Sequence, residues 1–90
     1  MFTSWGMESP RKFTEAEVAF CLTALDSGDY GAVLRAKGIV PAADGTWLHF
    51  DYVPGEQDIR TGAADYTGRL CVIGAQLNEV ALKTLFGGEA

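Results

Sequence analysis

His49 and Asp51 lie two positions apart in the alternating run Thr46-Trp47-Leu48-His49-Phe50-Asp51-Tyr52-Val53, so a strand there sets an imidazole and a carboxylate on one face. Such a pair has two chemical uses. The two groups can share a divalent metal, or the carboxylate can orient the imidazole as a general base. Metal centres take three or four ligands, and sequence alone does not place the other donors, Cys21, Cys71, Glu56 and Asp58, beside the pair. The blander reading of His49 and Asp51 is a solvated strand face, and the sharper one is contact with a metal or a partner. Cys21 lies between Phe20 and Leu22, and Cys71 between Leu70 and Val72, surroundings that favour small buried hydrophobes over activated thiols.

Arg35 and Lys37 form the second set. They share a face of the run Val33 to Val40, and a regular hairpin at Asp44-Gly45 brings Asp51 and His49 across from them. Surface ion pairs are one outcome. The other is that this charged face meets another domain, where desolvated charges set orientation and partner choice. Trp5 and Trp47 read as core or interface aromatics. The pattern G-x-x-x-x-G-K-[ST], which cradles phosphates, is missing, and no nucleophile, base and orienting group occur together at a recognisable spacing. The chain is therefore not expected to be an enzyme by itself.

The elements that must position these residues follow from periodicity. Phe2 to Met7 alternates as a short strand. Thr14 and Glu17 form a capping box before a helix, Phe13 can staple onto Val18, and Val18, Cys21, Leu22 and Leu25 make its apolar stripe. Leu34, Ala36, Gly38 and Val40 alternate with Arg35 and Lys37 in a second strand, and Pro41 and Asp44-Gly45 turn the chain into the strand of His49. Gln57 to Thr61 suits a short edge strand. The apolar run Arg69 to Gly74 suits a central strand covered on both faces. Asn78 can cap a last helix with Leu77, Ala81, Leu82, Leu85 and Phe86 on one side. The expected fold is α+β, a mainly antiparallel sheet of four to five strands with two helices packed on one face.

At 90 residues and 9.6 kDa, residues 1–90 make a single domain that buries about 63% of its unfolded surface, enough for one modest core without metal or disulfide. Seven basic against 12 acidic residues give a net charge of −5, which disfavours nucleic acid and anionic membranes. Two distant cysteines without Cys-x-x-Cys spacing suit the reducing cytosol, so a cytoplasmic protein is expected. A sheet with one bare face can also self-associate, so a homo-oligomer is among the expectations.

Taken in order, Arg11-Lys12-Phe13, Leu34-Arg35-Ala36-Lys37-Gly38, Trp47-Leu48 with Phe50-Asp51, Gly68-Arg69-Leu70 through Ile73-Gly74, and the closing Leu85-Phe86 resemble the C-terminal domain of CobW-type proteins. The resemblance covers nearly the whole chain. It implies a family of metal-related P-loop GTPases regarded as metallochaperones or cobalamin-synthesis proteins, in which the nucleotide loop and a Cys-x-Cys-Cys motif belong to a preceding domain. These ninety residues would then be the C-terminal part, with Met1 an addition. The resemblance implies GTP, Mg and a transition metal such as zinc or cobalt for the parent, and no cofactor in this chain. Implied partners are the GTPase domain of the same parent and a metal-receiving client protein. Arg35, Lys37, Gly38, Trp47, Asp51, Arg69 and Gly74 match its pattern, with a structural or interdomain role. Arg35, Lys37, Trp47 and Asp51 are the candidate partner surface, and a direct metal carrier using His49 and Asp51 is the alternative.

Overall fold

A computed structural model describes residues 1–88. In chain order the elements are β1 (Thr3–Ser9), α1 (Glu15–Ala24) with a 3-10 turn at Leu25–Ser27, β2 (Ala32–Pro41), β3 (Trp47–Val53), β4 (Glu56–Thr61), β5 (Gly68–Ala75) and α2 (Glu79–Gly87). The strands form one antiparallel sheet in the order β1-β5-β2-β3-β4. The α+β architecture is thus as the periodicity predicts, with five strands.

Both helices begin where the caps place them. Thr14 Oγ1 accepts from Glu17 N at 3.1 Å while Glu17 Oε1 accepts from Thr14 N at 2.9 Å, so two orphan donors of α1 are satisfied reciprocally. Asn78 Oδ1 accepts from Ala81 N at the start of α2. The far end of α2 is held by a residue distant in sequence. Arg11 donates to the carbonyls of Leu85 (3.3 Å) and Phe86 (2.9 Å), and its guanidinium lies 4.2 Å from the Phe13 ring centroid. A cation there also complements the negative end of the helix dipole.

The helices cover one face of the sheet, α1 over β3 and β4 and α2 beside β1. Between them and the sheet lies a single core of Val18, Cys21, Leu22 and Leu25, Leu82 and Phe86, and Val33, Ala36, Val40, Leu48, Phe50, Tyr52, Leu70 and Val72. Burying a side chain such as Leu22, Leu82 or Phe86 contributes roughly 2 kcal/mol each. Phe50 and Phe86 stack with centroids 6.3 Å apart and planes 4° from parallel. The Tyr52 hydroxyl at the inner face is satisfied: Tyr52 donates it to Asp26 Oδ1 at 2.5 Å, and Gly55 N donates to the same oxygen at 3.0 Å.

Three expectations need correction. The central strand is β2, and β5 is covered on one face only: Leu70, Val72 and Gly74 are buried, whereas Arg69 and Ile73 are exposed and Cys71 is half-buried. An apolar run therefore hid a one-sided strand. Cys71 accordingly is not a buried hydrophobe, although Cys21 is. Leu34 does not share the inner face with Ala36, because the β2–β5 register shifts between Val33 and Arg35. The extra residue is bulged outward and Val33 takes the core position.

Candidate functional site

The face of the sheet away from the helices is open, and alternation along five strands decides what stands on it. The register places Cys71, Lys37, Asp51 and Asp58 in one row across β5, β2, β3 and β4. The next row runs Arg69, Ile39, His49 and Arg60. Arg35 lies opposite Ile73, one position further along. Lys37, Ile39, His49, Asp51, Arg60 and Cys71 line a shallow depression of about 360 Å³ in the middle of this face.

The charges there are largely matched to one another. Asp51 pairs with Arg60 at 3.0 Å and with Arg35 at 3.9 Å, and Arg60 also reaches Asp58 at 2.6 Å. The Asp58 hydrogen bond, followed by that of Asp51, pushes the Arg60 guanidinium further toward its charged form. Arg69 reaches Asp65 at 2.9 Å. Among the described residues Lys37 has no carboxylate within 4.0 Å, because its cross-strand neighbours are Cys71 and an Asp51 already engaged by two guanidinium groups.

His49 is held from the other side. Its Nε2 lies 2.9 Å from the Ala63 carbonyl, which can only accept, so that nitrogen carries a proton. Gly62 lies under the ring, where a Cβ would come within 2.5 Å of Nε2. Trp47 is half-buried opposite Pro41, and its carbonyl accepts from Gly62 N at 3.0 Å. Trp47 and His49 together tie the 62–67 loop to the sheet.

The structure therefore brings Arg35, Lys37, Asp51 and His49 onto one face, as their spacing predicts, with Trp47 at its end. Asp51 turns to the guanidinium groups and His49 Nε2 to a backbone carbonyl. Among the described residues no three His, Cys, Asp or Glu side chains are grouped as metal ligands. What the arrangement can do is bind: an apolar floor from Ile39 and Cys71, ringed by paired charges, with one unmatched ammonium. Spacing alone does not assign Arg60 and Ile39 to this face, and Cys71 reads from its neighbours as buried although it stands here. The period-2 alternation of Arg69, Cys71 and Ile73 was the available signal.

Comparison with known proteins agrees with this architecture. The chain aligns over 99% of its length, at 23% identity and a TM-score of 0.77, with the crystal structure of the Zn(II)-bound YjiA GTPase from E. coli, of which it covers 30%. A Zn(II)-bound triple mutant of YjiA GTPase matches at 22% identity and a TM-score of 0.78, over 97% of this chain and 29% of that one. The likeness shows a shared fold, and the chain spans about 30% of the solved relative's length. No curated protein matches. No helix among the described residues is long and apolar enough to cross a membrane. The family described as the cobalamin synthesis protein cobW C-terminal domain matches residues 2–88, and the chain belongs to that family.

Proposed function

We propose that this chain is the interaction and regulatory domain of a CobW-type GTP-binding metallochaperone, coupling the parent's GTPase domain to delivery of metal to a client protein. The observation that carries this reading is the open sheet face, on which the guanidinium groups of Arg35, Arg60 and Arg69 are paired with carboxylates and the Lys37 ammonium is not. The Zn(II)-bound GTPases of the same fold support a parent that handles a transition metal such as zinc or cobalt, with GTP and Mg held by another part of it. The residues described here do not fit those groups, since Asp51 and His49 Nε2 are engaged within the chain, and the proposed role needs neither.

Coupling works through differential contact. If the neighbouring domain presents a carboxylate to Lys37 in one nucleotide state and withdraws it in the other, the two states differ in free energy. That difference is passed to whatever the face or the neighbour binds, and coupling energies of this kind alter affinity by about 5–150-fold. An exposed cation suits the task because it adds little to the domain's own stability.

The test is Lys37→Glu in the full-length parent. The ratio of metal or client affinities measured with GTP and with GDP should collapse by about tenfold. Thermal unfolding of the ninety-residue chain should be unchanged. An unaltered ratio would reject the reading.

A further inference from the structure

The two edges of the sheet are built differently. β4 carries Glu56, Asp58 and Arg60 among its six residues, the kind of charged edge that repels another strand. β1 has little of this protection. Its seven residues include one charge, Glu8, no proline or lysine, and an unbroken ladder with β5 from Thr3 to Ser9. Its outer side offers unpaired backbone N–H and C=O groups to any strand of matching pattern.

We propose that β1 pairs with β1 of a second copy of this chain, antiparallel about a two-fold axis at Gly6, joining two sheets into one of ten strands. The sequence of β1 is complementary to itself in that register. All seven residues find partners: Thr3 faces the second copy's Ser9, Ser4 its Glu8, Trp5 its Met7 and Gly6 its Gly6. No like charges oppose one another. Trp5 and Met7, both half-buried on the helix side, extend the core across the seam, and a thioether beside an indole is a favourable contact. Phe2, 64% exposed just outside the ladder, comes level with the second copy's Pro10. The axis is perpendicular to the sheet, so the helices of both copies lie on one side and the open faces with Lys37 lie together on the other. A shift by two residues in either direction would leave fewer pairs within Thr3–Ser9. This inference is independent of the docking role proposed for the open face.

Gly6 supplies the test. A Cβ there meets nothing closer than Leu70 O at 3.7 Å, so a side chain is accommodated in the single copy, while in the pair it faces its own twin. Sedimentation equilibrium of the chain should give twice 9.6 kDa as concentration rises. Gly6→Lys and Gly6→Glu should each keep an unchanged far-UV circular dichroism and stay at the single-copy mass to higher concentration than the native chain, their association weakened about fivefold by like charges across the axis. An equimolar mixture of the two variants should recover the doubled mass. A native chain of 9.6 kDa at millimolar concentration, or a dimer indifferent to both variants, would overturn the proposal, as would a mixture that stays monomeric.

Discussion

Gly38 is a point of close fit between β2 and the side chains of its two neighbouring strands, and Gly38→Ala tests how rigid that fit is. Gly38 lies on β2 with Phe50 opposite on β3 and Leu70 opposite on β5. A methyl at this position would sit 2.6 Å from Phe50 Cζ, 2.7 Å from Phe50 Cε2 and 2.8 Å from Leu70 Cβ. Carbon atoms prefer about 3.5–4.0 Å, so the overlap is about 1 Å on both sides. The Phe50 ring has nowhere to swing because it is stacked on Phe86, itself 1% exposed. In open space Gly→Ala would stabilise the fold by about 0.4–1 kcal/mol by restricting the unfolded chain. Overpacking a dense core costs typically 1–3 kcal/mol, so the net expectation is a loss of about 1.3 kcal/mol, a fall in Tm of roughly 5–10 °C for a domain of this size. Thermal and urea unfolding followed by circular dichroism read it. Adding Phe50→Leu should recover part of the loss, since the two sites touch and cannot be additive. An unchanged or raised Tm, or strictly additive costs in the double variant, would refute the packing argument.

Tyr52→Phe should cost about 1 kcal/mol, since Asp26 is left with one of its two donors. The same variant should change the acid limb of stability. The Tyr52 hydroxyl, and after it the Gly55 amide, hold the Asp26 carboxyl below the ordinary range, so its contribution is present above the unfolded pKa of about 3.9 and is lost as pH falls through the lower folded value. Urea unfolding across that window should show a shallower acid loss for Tyr52→Phe than for the native chain. Arg11→Ala removes two charge-assisted bonds to the end of α2 and the cation over Phe13, and should cost about 2 kcal/mol in urea unfolding, with faster amide exchange in the last turn of α2.

How much of this was legible in the sequence depends on the distance over which each feature is decided. The capping box at Thr14 and Glu17, the stripe Val18, Cys21, Leu22 and Leu25, and the Asp44-Gly45 hairpin are local, and each stands where its spacing puts it. The register that sets Lys37 opposite Asp51 across β2 and β3 follows from that hairpin. The bulge at Leu34 was invisible because uninterrupted alternation also fits the run, and only the β5 register reveals the extra residue. Strand β5 reads as covered on both faces because Cys71 and Ile73 are apolar yet face outward, so composition cannot distinguish a strand covered twice from one covered once. Arg11 capping α2 and Asp26 receiving Tyr52 join residues 75 and 26 positions apart, beyond any local pattern. The engagement of His49 with Ala63 likewise depends on how the 62–67 loop returns to the sheet.

The two cysteines offer the most direct reading of what the open face does. Cys71 is half-buried in the central depression, whereas Cys21 is buried beneath α2 with its thiol 3.8 Å from the Leu85 carbonyl, and neither is in a disulfide. Burial also pushes the Cys21 thiol up, which keeps it unreactive and makes it an internal control. The measurement is the rate of Cys71 alkylation in the isolated chain and in the GTP-binding parent proposed above, loaded with GTP or with GDP. A face that seats a neighbouring domain predicts slower labelling in the parent, with rates that differ between the two nucleotides. Equal rates in the isolated chain and in both loaded forms would contradict it.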